Sequence, residues 1–249
     1  MYMKKILLVI FGIFFLVAII LATVVLTILI DRSNNTSEIV DTDQNINEEG
    51  NQEVALSCDI DSTNIDADQP AYEYDFTFPQ FTCTDAEVES DLNTFVENAI
   101  EAFSNDIEES NDSALRSTGF SDYDVVLNDN NNISVRINYS VHLVGGTGDS
   151  GIIAVNYRLE NQEFLELSDL FPDTTNFLNK ISDYSINALK ELFDDVSLNE
   201  TIESGASADE NNFKTFVFDD SSVTIVFGKY QVGPGALGNP EIVIPFSEI

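Results

Sequence analysis

The feature that most constrains this chain is an uncharged, strongly apolar run from Ile6 to Ile30. As a helix at about 1.5 Å per residue, the run would be about 37 Å long, which is enough to cross the roughly 30 Å hydrocarbon core of a bilayer with some tilt. The run is longer than the apolar core of a cleavable signal peptide, and no A-x-A cleavage pattern follows it. We therefore expect residues 6–30 to form a transmembrane helix that is not cleaved.

The charges beside this run predict its orientation. Lys4 and Lys5 precede the run, whereas Asp31 and Arg32 follow it and cancel each other. Because basic residues concentrate on the cytoplasmic side of a membrane helix, we expect residues 1–5 to form a short cytoplasmic tail. The chain after the run is then extracytoplasmic, anchored to the cell membrane by a single span.

The remainder divides into a linker and a folded module. Residues 31–52 are polar and lack hydrophobic periodicity, which predicts an acidic flexible linker. Residues 53–249 contain periodic apolar segments, and we expect an extracellular α+β module there. Its length allows one domain or two sub-domains, over 53–115 and 116–249.

The module is strongly acidic. Of the 44 acidic and 10 basic residues of the whole chain, 43 and 7 follow Arg32. Nucleic acid is excluded as a partner, because phosphate contacts need a basic stripe, and docking on anionic lipid is disfavoured for the same reason. A cationic protein would be attracted to such a surface, although an acidic surface also serves solubility without any partner.

The only cysteines are Cys58 and Cys83, both in the exterior part. An even number of cysteines in an oxidising compartment predicts one disulfide, which would close a loop of about 25 residues and contribute about 3 kcal/mol. No cofactor and no metal site are expected. The sole histidine, His142, is remote from both cysteines, and no acidic segment has the spacing of an EF-hand.

Hydrophobic periodicity predicts the elements of the module. Alternating aromatic residues in 71–81 predict a half-buried strand that buries Tyr72, Tyr74, Phe76 and Phe78. Thr84 and Glu87 have the spacing of a capping box, and an apolar stripe follows them, which predicts a long helix. A second helix is expected from an N-cap at Asp173, with a buried face made by Phe177, Ile181, Tyr184, Ala188, Leu192 and Val196.

The order of these elements predicts the fold class. The remaining strands are expected at 53–60, 122–128, 133–143, 151–159 and in three segments between Phe213 and Phe246. Because strands occur in runs and do not alternate with helices, the pattern favours an α+β fold with antiparallel sheets and two main helices.

Two glycine-rich stretches stand out as a candidate binding surface. The loop VGGTGDSG at 144–151 lacks the Gly-Lys-Ser/Thr of a phosphate-binding loop, and the arm VGPGALGNP at 232–240 separates two apolar strands. Both stretches also suit a purely architectural role, as a wide hairpin loop and a corner. The candidate contact residues are Gly145, Gly146, Thr147, Gly148, Asp149, Tyr230, Gly233, Pro234, Gly235 and Gly238.

No residue pattern indicates catalysis. A nucleophilic triad needs an activating base, usually histidine, and His142 is alone. Paired carboxylates hydrolyse glycosides when they lie about 5–10 Å apart, but a chain this acidic offers many pairs and singles out none. We expect no catalytic residues and no enzymatic activity in this chain.

The C-terminal stretch YQVGPGALGNPEIVIPFSEI resembles a bacterial exterior domain. That domain is found in the lysozyme-sensing anti-sigma-V factors and on the N-terminal side of certain peptidoglycan deacetylases. The resemblance extends over about residues 54–249, and GGTGDSG lies where the family has a glycine-rich hairpin loop. Its most specific residues are Tyr230, Val232, Gly233, Pro234, Gly238, Pro240, Glu241, Ile244, Pro245 and Phe246.

The resemblance implies a function in the cell envelope. Only residues 1–5 precede the apolar run and no catalytic domain follows Ile249, so we expect neither sigma-factor binding nor deacetylation by this chain. The expected function is a non-catalytic, membrane-anchored binding or sensor-like module. Its expected ligand is a peptidoglycan-related glycan or a basic protein of lysozyme type. The alternatives are a carboxylate-dependent hydrolase of envelope glycans and a structural subunit of a membrane assembly.

Overall fold

The computed structural model describes residues 55–109, 116–146, 148–172 and 174–249. The predicted cytoplasmic tail, transmembrane helix and linker, residues 1–52, lie outside the described residues. Within the described ranges, no helix is both long enough and apolar enough to cross a bilayer. Residues 53–249 group into one compact unit.

A six-stranded sheet forms the first half of this unit. Its strands follow chain order, and every neighbouring pair is antiparallel except the second and third. The strands are β1 (Cys58–Asp68), β2 (Tyr72–Cys83), β3 (Ser117–Asn128), β4 (Asn132–His142), β5 (Asp149–Arg158) and β6 (Glu163–Phe164). The prediction of antiparallel sheets is therefore confirmed for every neighbouring pair of this sheet except β2 and β3. They are parallel because a helix between them carries the chain back to the same end of the sheet.

That helix, α1 (Ala86–Glu109), packs on one face of the sheet. Its predicted apolar stripe is confirmed, and the buried members are Val88, Leu92, Val96, Ile100 and Ile107. The predicted capping box is wrong in register. Asp85 accepts from the backbone N–H groups of Glu87 and Val88, and Thr84 instead contacts Ser57. An Asp directly before the first turn is the stronger N-cap, so the N-cap lies one residue later than expected.

The second half of the unit combines two helices with a small sheet. The helices are α2 (Phe177–Phe193) and α3 (Asn199–Gly205), and the antiparallel strands are β7 (Phe216–Phe218), β8 (Ser222–Val226) and β9 (Glu241–Pro245). Their apolar faces enclose a second core around Ile181, Leu189, Phe213, Ile225 and Ile244. The fold is α+β as predicted, with one short helix more than the two expected.

The end of α2 differs from the expectation. Asp194 adopts a left-handed conformation with φ 48°, and α2 ends at Phe193. Val196 lies beyond this end and is exposed, although the helical period predicted its burial. Leu192 was also predicted to be buried but is exposed within α2, because the buried face runs through Ile181, Ser185 and Leu189. Asp173, the predicted N-cap of α2, lies outside the described residues.

Two buried polar side chains join the halves of the unit. Ser134 Oγ on β4 accepts from the backbone N–H of Phe218 at 3.0 Å and donates to Asn156 Oδ1 at 2.8 Å. Asn156 Nδ2 on β5 donates to the carbonyl of Phe216 at 2.7 Å. The outward edge of β7 is thereby hydrogen-bonded to the large sheet. The large sheet itself contains strands from both sides of residue 115, the boundary between the two sub-domains that the sequence allows.

The predicted disulfide is present. Cys58 and Cys83 are register partners at one end of the β1–β2 pair, and their sulfurs are bonded. Beside the bond, the backbone N–H of Thr84 donates to the carbonyl of Ser57. The disulfide therefore closes the β1–β2 hairpin where the folded unit begins.

Candidate functional site

The two glycine-rich stretches of the sequence meet in space. Lys229 Nζ, on the arm that leads from β8 to β9, donates to the carbonyl of Gly148 in the β4–β5 loop at 2.6 Å. The Asn239 carboxamide, oriented to satisfy both neighbours, donates to the carbonyl of Ser150 at 2.7 Å and accepts from the N–H of Lys229 at 3.2 Å. We call this junction the loop–arm surface and define it by Gly148, Lys229, Tyr230, Gly235 and Asn239.

A single glutamine holds the arm to the helices below it. Gln231 Nε2 donates to the carbonyls of Gly205 and Asn212 at 2.8 and 2.9 Å, and its Oε1 accepts from the N–H of Gly228 at 2.8 Å. The arm lies so close to α3 that a Cβ on Gly205 would be 2.0 Å from the carbonyl oxygen of Gln231. The arm therefore has a fixed position.

Tyr230 is the most unusual residue of the arm. Its φ is +70°, in the left-handed region that residues other than glycine rarely adopt, and 65% of its surface is exposed. The ring rests on the backbone of Gly235, where a Cβ would be 2.4 Å from a ring carbon. Lys229 Nζ lies 5.7 Å from the ring centroid, within the range of a cation–π contact. The arm thus presents a supported aromatic ring with an ammonium group beside it.

The other predicted residues of the arm have smaller roles. Gly238, with φ +68°, is the arm glycine that uses a positive φ. Gly233 lies close to Leu237, since a Cβ there would be 2.7 Å from the end of that exposed side chain. Pro234, which is exposed, directly precedes the single helical turn that includes Gly235 and Leu237.

The predicted residues of the loop divide between two faces. Gly145, with φ +78°, and Gly146 are exposed at the tip, and Thr147 lies outside the described residues. Gly148 contacts the arm and also lies beside His142, since a Cβ on Gly148 would be 3.2 Å from His142 Nδ1. Asp149 pairs with Val141 and therefore points to the α1 side of the sheet, away from the arm.

The sequence predictions missed the residues that hold this junction together. Lys229, Gln231 and Asn239 carry the polar contacts, and Gly205 permits the close approach. Lys229 had a usable signal, because it is one of only seven basic residues after Arg32 and directly precedes Tyr230. Gln231 and Gly205 had none, since their roles depend on a contact between segments far apart in sequence.

Open pockets also lie elsewhere on the unit. One, of about 480 Å³, is lined by Arg158, Asp219 and Phe246 among others, and one of about 380 Å³ by Glu166, Glu210 and Lys214 among others. The described residues contain no group of three or more His, Cys, Asp or Glu side chains placed to hold a metal ion.

Comparison with known proteins gives two adjacent family matches. Residues 65–147 match the family described as Deacetylase PdaC, and residues 168–247 match a family described as a protein of unknown function, DUF3298. The chain is therefore similar to one family in its earlier part and to the other in its later part. It is also 23% identical over 180 residues to the peptidoglycan-N-acetylmuramic acid deacetylase PdaC of Bacillus subtilis (strain 168). The alignment covers 71% of this chain but only 38% of that protein.

Two solved structures share the fold. A DUF3298 family member from Bacteroides fragilis NCTC 9343 has a TM-score of 0.52 and 20% identity, covering 78% of this chain and 91% of that one. A DUF3298 family protein from Pseudomonas aeruginosa PAO1 has a TM-score of 0.53 and 13% identity, covering 78% and 92%. At these identities the likeness supports the fold and the pairing of the two halves in one unit.

These matches contradict the prediction about enzymatic activity and support only part of the predicted family resemblance. The expectation of no enzymatic activity is contradicted, because the chain is similar to a deacetylase in both its family match and its curated relative. That expectation rested on the lack of a recognisable catalytic spacing, which weighs little against such a match. The resemblance to peptidoglycan deacetylases is supported, whereas the matches do not single out the anti-sigma-V factors.

Proposed function

We propose that this chain is a cell-envelope protein that engages peptidoglycan, and that its loop–arm surface is where the glycan binds. The support is the similarity to a deacetylase whose name specifies N-acetylmuramic acid in peptidoglycan. The proposal includes the anchor inferred from the sequence. Residues 6–30 span the cell membrane with the N-terminus in the cytoplasm, and residues 53–249 face the wall.

The observation that carries this proposal is the conformation of Tyr230. A left-handed backbone at a residue with a side chain costs about 1–2 kcal/mol, and glycine would avoid that cost. The cost is offset here by an arrangement that holds the ring exposed and backed by Gly235. Such a flat, amphipathic ring suits the apolar C–H face of a pyranose, while its hydroxyl remains available to the sugar hydroxyl groups.

Lys229 adds a charge to this ring. Gly148 accepts one hydrogen bond from its ammonium group, which has three donors in total. Among the described residues no carboxylate lies within 4 Å of Lys229 Nζ, although the protein is strongly acidic. N-acetylmuramic acid differs from N-acetylglucosamine by a carboxylate-bearing ether. A ring that stacks on the sugar and an ammonium that pairs with this carboxylate would together select the muramic residue.

Sedimentation with purified, insoluble peptidoglycan tests this function. The full-length chain is purified in a mild detergent because of the apolar run, and its bound fraction is measured against peptidoglycan concentration. We expect Tyr230→Ala to weaken binding about three- to tenfold, the usual worth of one aromatic contact. Phe120→Ala is the matched control, since Phe120 is also an exposed aromatic, at 52%, but lies on the large sheet. No sedimentation of the wild type, or equal loss in both variants, would refute the proposal.

A second measurement relates binding to deacetylation. Acetate released from the same peptidoglycan is followed with the full-length chain and with a heat-denatured sample. Release above the denatured sample, reduced by Tyr230→Ala, would show that the loop–arm surface serves catalysis in this chain. Sedimentation without acetate release would restrict the surface to holding the glycan.

The charge of the large sheet favours a second candidate partner, a basic protein of lysozyme type. On the face of the sheet away from α1, exposed Asp66, Asp75 and Asp122 surround the exposed ring of Phe120. An interaction with these acids would weaken steeply between low and physiological salt and would be lost in Phe120→Ala. Binding of lysozyme that is insensitive to salt and to Phe120→Ala would exclude this surface.

A further inference from the structure

The pocket of about 480 Å³ lies at the end of β5 that is far from the loop–arm surface. We propose that this pocket binds a secondary amide group with a small apolar group beside it. We call it the amide pocket, and the side chains that define it are Leu127, Asn132, Arg158, Leu170, Asp219 and Phe246. Its volume lies within the usual range for sites that bind small molecules.

The polar floor of the amide pocket is a cross-strand pair. Asn132, the first residue of β4, is the register partner of Arg158, the last residue of β5. Because side chains alternate along a strand, both lie on the same face of the sheet as Ser134 and Asn156, which hold β7. The pocket therefore opens beside the end of β7, whose last residue, Phe218, also lines it.

Asn132 supplies an acceptor that has no donor. Its Oδ1 is buried and has no hydrogen-bond partner within the described ranges. Buried polar atoms of folded proteins nearly always have a partner, so an exception requires an explanation. An N–H group of a ligand would supply the missing donor. This unpaired oxygen is the observation that points to a ligand with such a group.

Arg158 supplies donors beside this acceptor. Its Nη2 donates to the backbone carbonyl of Asp169 at 3.1 Å, and the guanidinium makes no other hydrogen bond to a described residue. A guanidinium has five N–H groups, so several remain for a ligand carbonyl. The N–H and C=O of a trans amide point in opposite directions. An amide that lies between Asn132 and Arg158 can therefore meet both side chains.

The charges around the floor favour a neutral ligand. Asp169, Asp219 and Asp220 line the pocket together with Arg158. Asp219 Oδ1 accepts from the backbone N–H of Ser221 at 2.7 Å, and this hydrogen bond, the largest of several causes, lowers the pKa of the Asp219 carboxyl. Three aspartates disfavour a carboxylate or phosphate, and the guanidinium disfavours a cation at the floor.

Apolar side chains form the wall above this floor. Leu127 on β3, Leu170 in the turn after β6 and Phe246 after β9 are half-buried and line the pocket. Phe246 is held in place, because its N–H donates to the carbonyl of Ser221 at 2.9 Å and its ring centroid lies 5.9 Å from that of Phe171. These carbons suit the methyl of an acetyl group or a small amino-acid side chain.

Two components of a cell wall carry such an amide. One is the acetamido group of an N-acetylated amino sugar, and the other is a peptide bond beside a small side chain. The sugar source rests on the proposed function and would deepen it by adding a second contact to the glycan. The two sites are separate, because Gly148 precedes β5 and Arg158 ends it. A strand of this length spans about 30 Å.

Matched secondary and tertiary amides test the pocket. The full-length chain, purified in a mild detergent and isotope-labelled at the side-chain nitrogens of its four arginines, is titrated with N-acetylglucosamine and with the N-methyl derivative of that sugar. A parallel titration compares N-acetylalanine methylamide with N-acetylsarcosine dimethylamide, which has no amide N–H. The Nε–H signal of Arg158, assigned by its absence in Arg158→Lys, reports binding by nuclear magnetic resonance.

We expect a saturable shift of the Arg158 signal with a secondary amide and weaker binding of its tertiary partner, which cannot donate to Asn132. A shift with the sugar pair alone identifies the sugar as the source, and a shift with the peptide pair alone identifies the peptide. Shifts with both pairs support the shared chemistry, and the tighter ligand then identifies the source. No shift with any ligand, or equal affinity for secondary and tertiary amides, would overturn the proposal.

A pair of variants separates Asn132 from a general effect of substitution in this turn. Asn132→Ala should weaken secondary-amide binding about three- to tenfold, the usual net worth of one hydrogen bond, and leave tertiary-amide binding unchanged. Asn131→Ala is the matched control, because Asn131 is exposed, does not line the pocket and hydrogen-bonds through its backbone. Circular dichroism verifies that both variants fold.

Equal weakening by Asn132→Ala and Asn131→Ala would also overturn the proposal. Sedimentation with peptidoglycan and its loss in Tyr230→Ala are measured without the Arg158 signal. The amide pocket and the loop–arm surface therefore fail separately.

Discussion

The strongest stability prediction concerns the buried pair Ser134 and Asn156, which hydrogen-bond the edge of β7 to the large sheet. Ser134 is fully buried and Asn156 is 5% exposed, so neither can exchange its lost partner for bulk water. Removing either side chain leaves a buried backbone group of β7 without a partner and also breaks the bond between the two side chains. One unsatisfied buried polar group costs about 1–3 kcal/mol.

The magnitudes follow from the number of groups affected. Ser134→Ala leaves the N–H of Phe218 and the Oδ1 of Asn156 without a partner, and should lower the free energy of unfolding by about 3 kcal/mol. Asn156→Ala leaves the carbonyl of Phe216 without that donor and should cost a similar amount. The double variant breaks their mutual bond only once, so it should cost about 1 kcal/mol less than the sum of the single variants.

Urea unfolding monitored by circular dichroism and by tyrosine fluorescence measures these values. The control is Asn138→Ala on the same face of β4, whose side chain bonds with exposed Asp122 and with Arg136, and it should cost less than 1 kcal/mol. Costs that simply add in the double variant would show that the two side chains do not act as one bridge. A cost below 1 kcal/mol for both single variants would show that β7 does not depend on them.

Three further predictions follow from individual contacts. Gly205→Ala should lower both the stability and the peptidoglycan binding, because the new Cβ would lie 2.0 Å from the carbonyl oxygen of Gln231 and would displace the arm; unchanged sedimentation would contradict the anchoring of the arm. Reducing the disulfide should lower the free energy of unfolding by about 3 kcal/mol, measured by urea unfolding with and without reductant; equal midpoints would contradict it. Burial, and then the hydrogen bond to Glu108, raise the pKa of Tyr74 to about 12. The folded state therefore keeps this proton after the unfolded state loses it at about pH 10, and stability falls as the pH rises from there towards 12. Tyr74→Phe should fall less steeply over that range, and an identical slope would refute the assignment.

Hydrophobic periodicity in the sequence was sufficient to predict the strands and helices, but not which strands pair with each other. The alternation Tyr74, Phe76, Phe78 and the stripe on α1 are local patterns that burial enforces, and both are confirmed. The parallel pairing of β2 and β3 depends on where α1 delivers the chain, which no local pattern records. The exposure of Val196 depends on Asp194, whose left-handed backbone ends α2 within an apolar pattern that continues past it.

The candidate site shows the same division. The glycine-rich loop and arm were recognisable from composition, and the contact between them follows from a register that places Gly148 at the end of the β4–β5 hairpin. Composition could not separate Asp149 from its neighbours in the loop. Strand geometry makes this separation, because side chains alternate between the two faces of a sheet and Asp149 therefore points to the opposite face from the residues next to it.

The position of the joining residues also explains why the two family matches form one folding unit. Asn156, Gly148 and Asp149 lie between residues 65–147 and 168–247, outside both matches. Yet Asn156 satisfies the edge of β7, and Gly148 receives the Lys229 ammonium of the arm. An isolated second match would leave both the β7 edge and the arm without these partners, and an isolated first match would expose Ser134, Asn156's partner on β4. The strand β5 and the residue before it are therefore the structural link between the two matched segments.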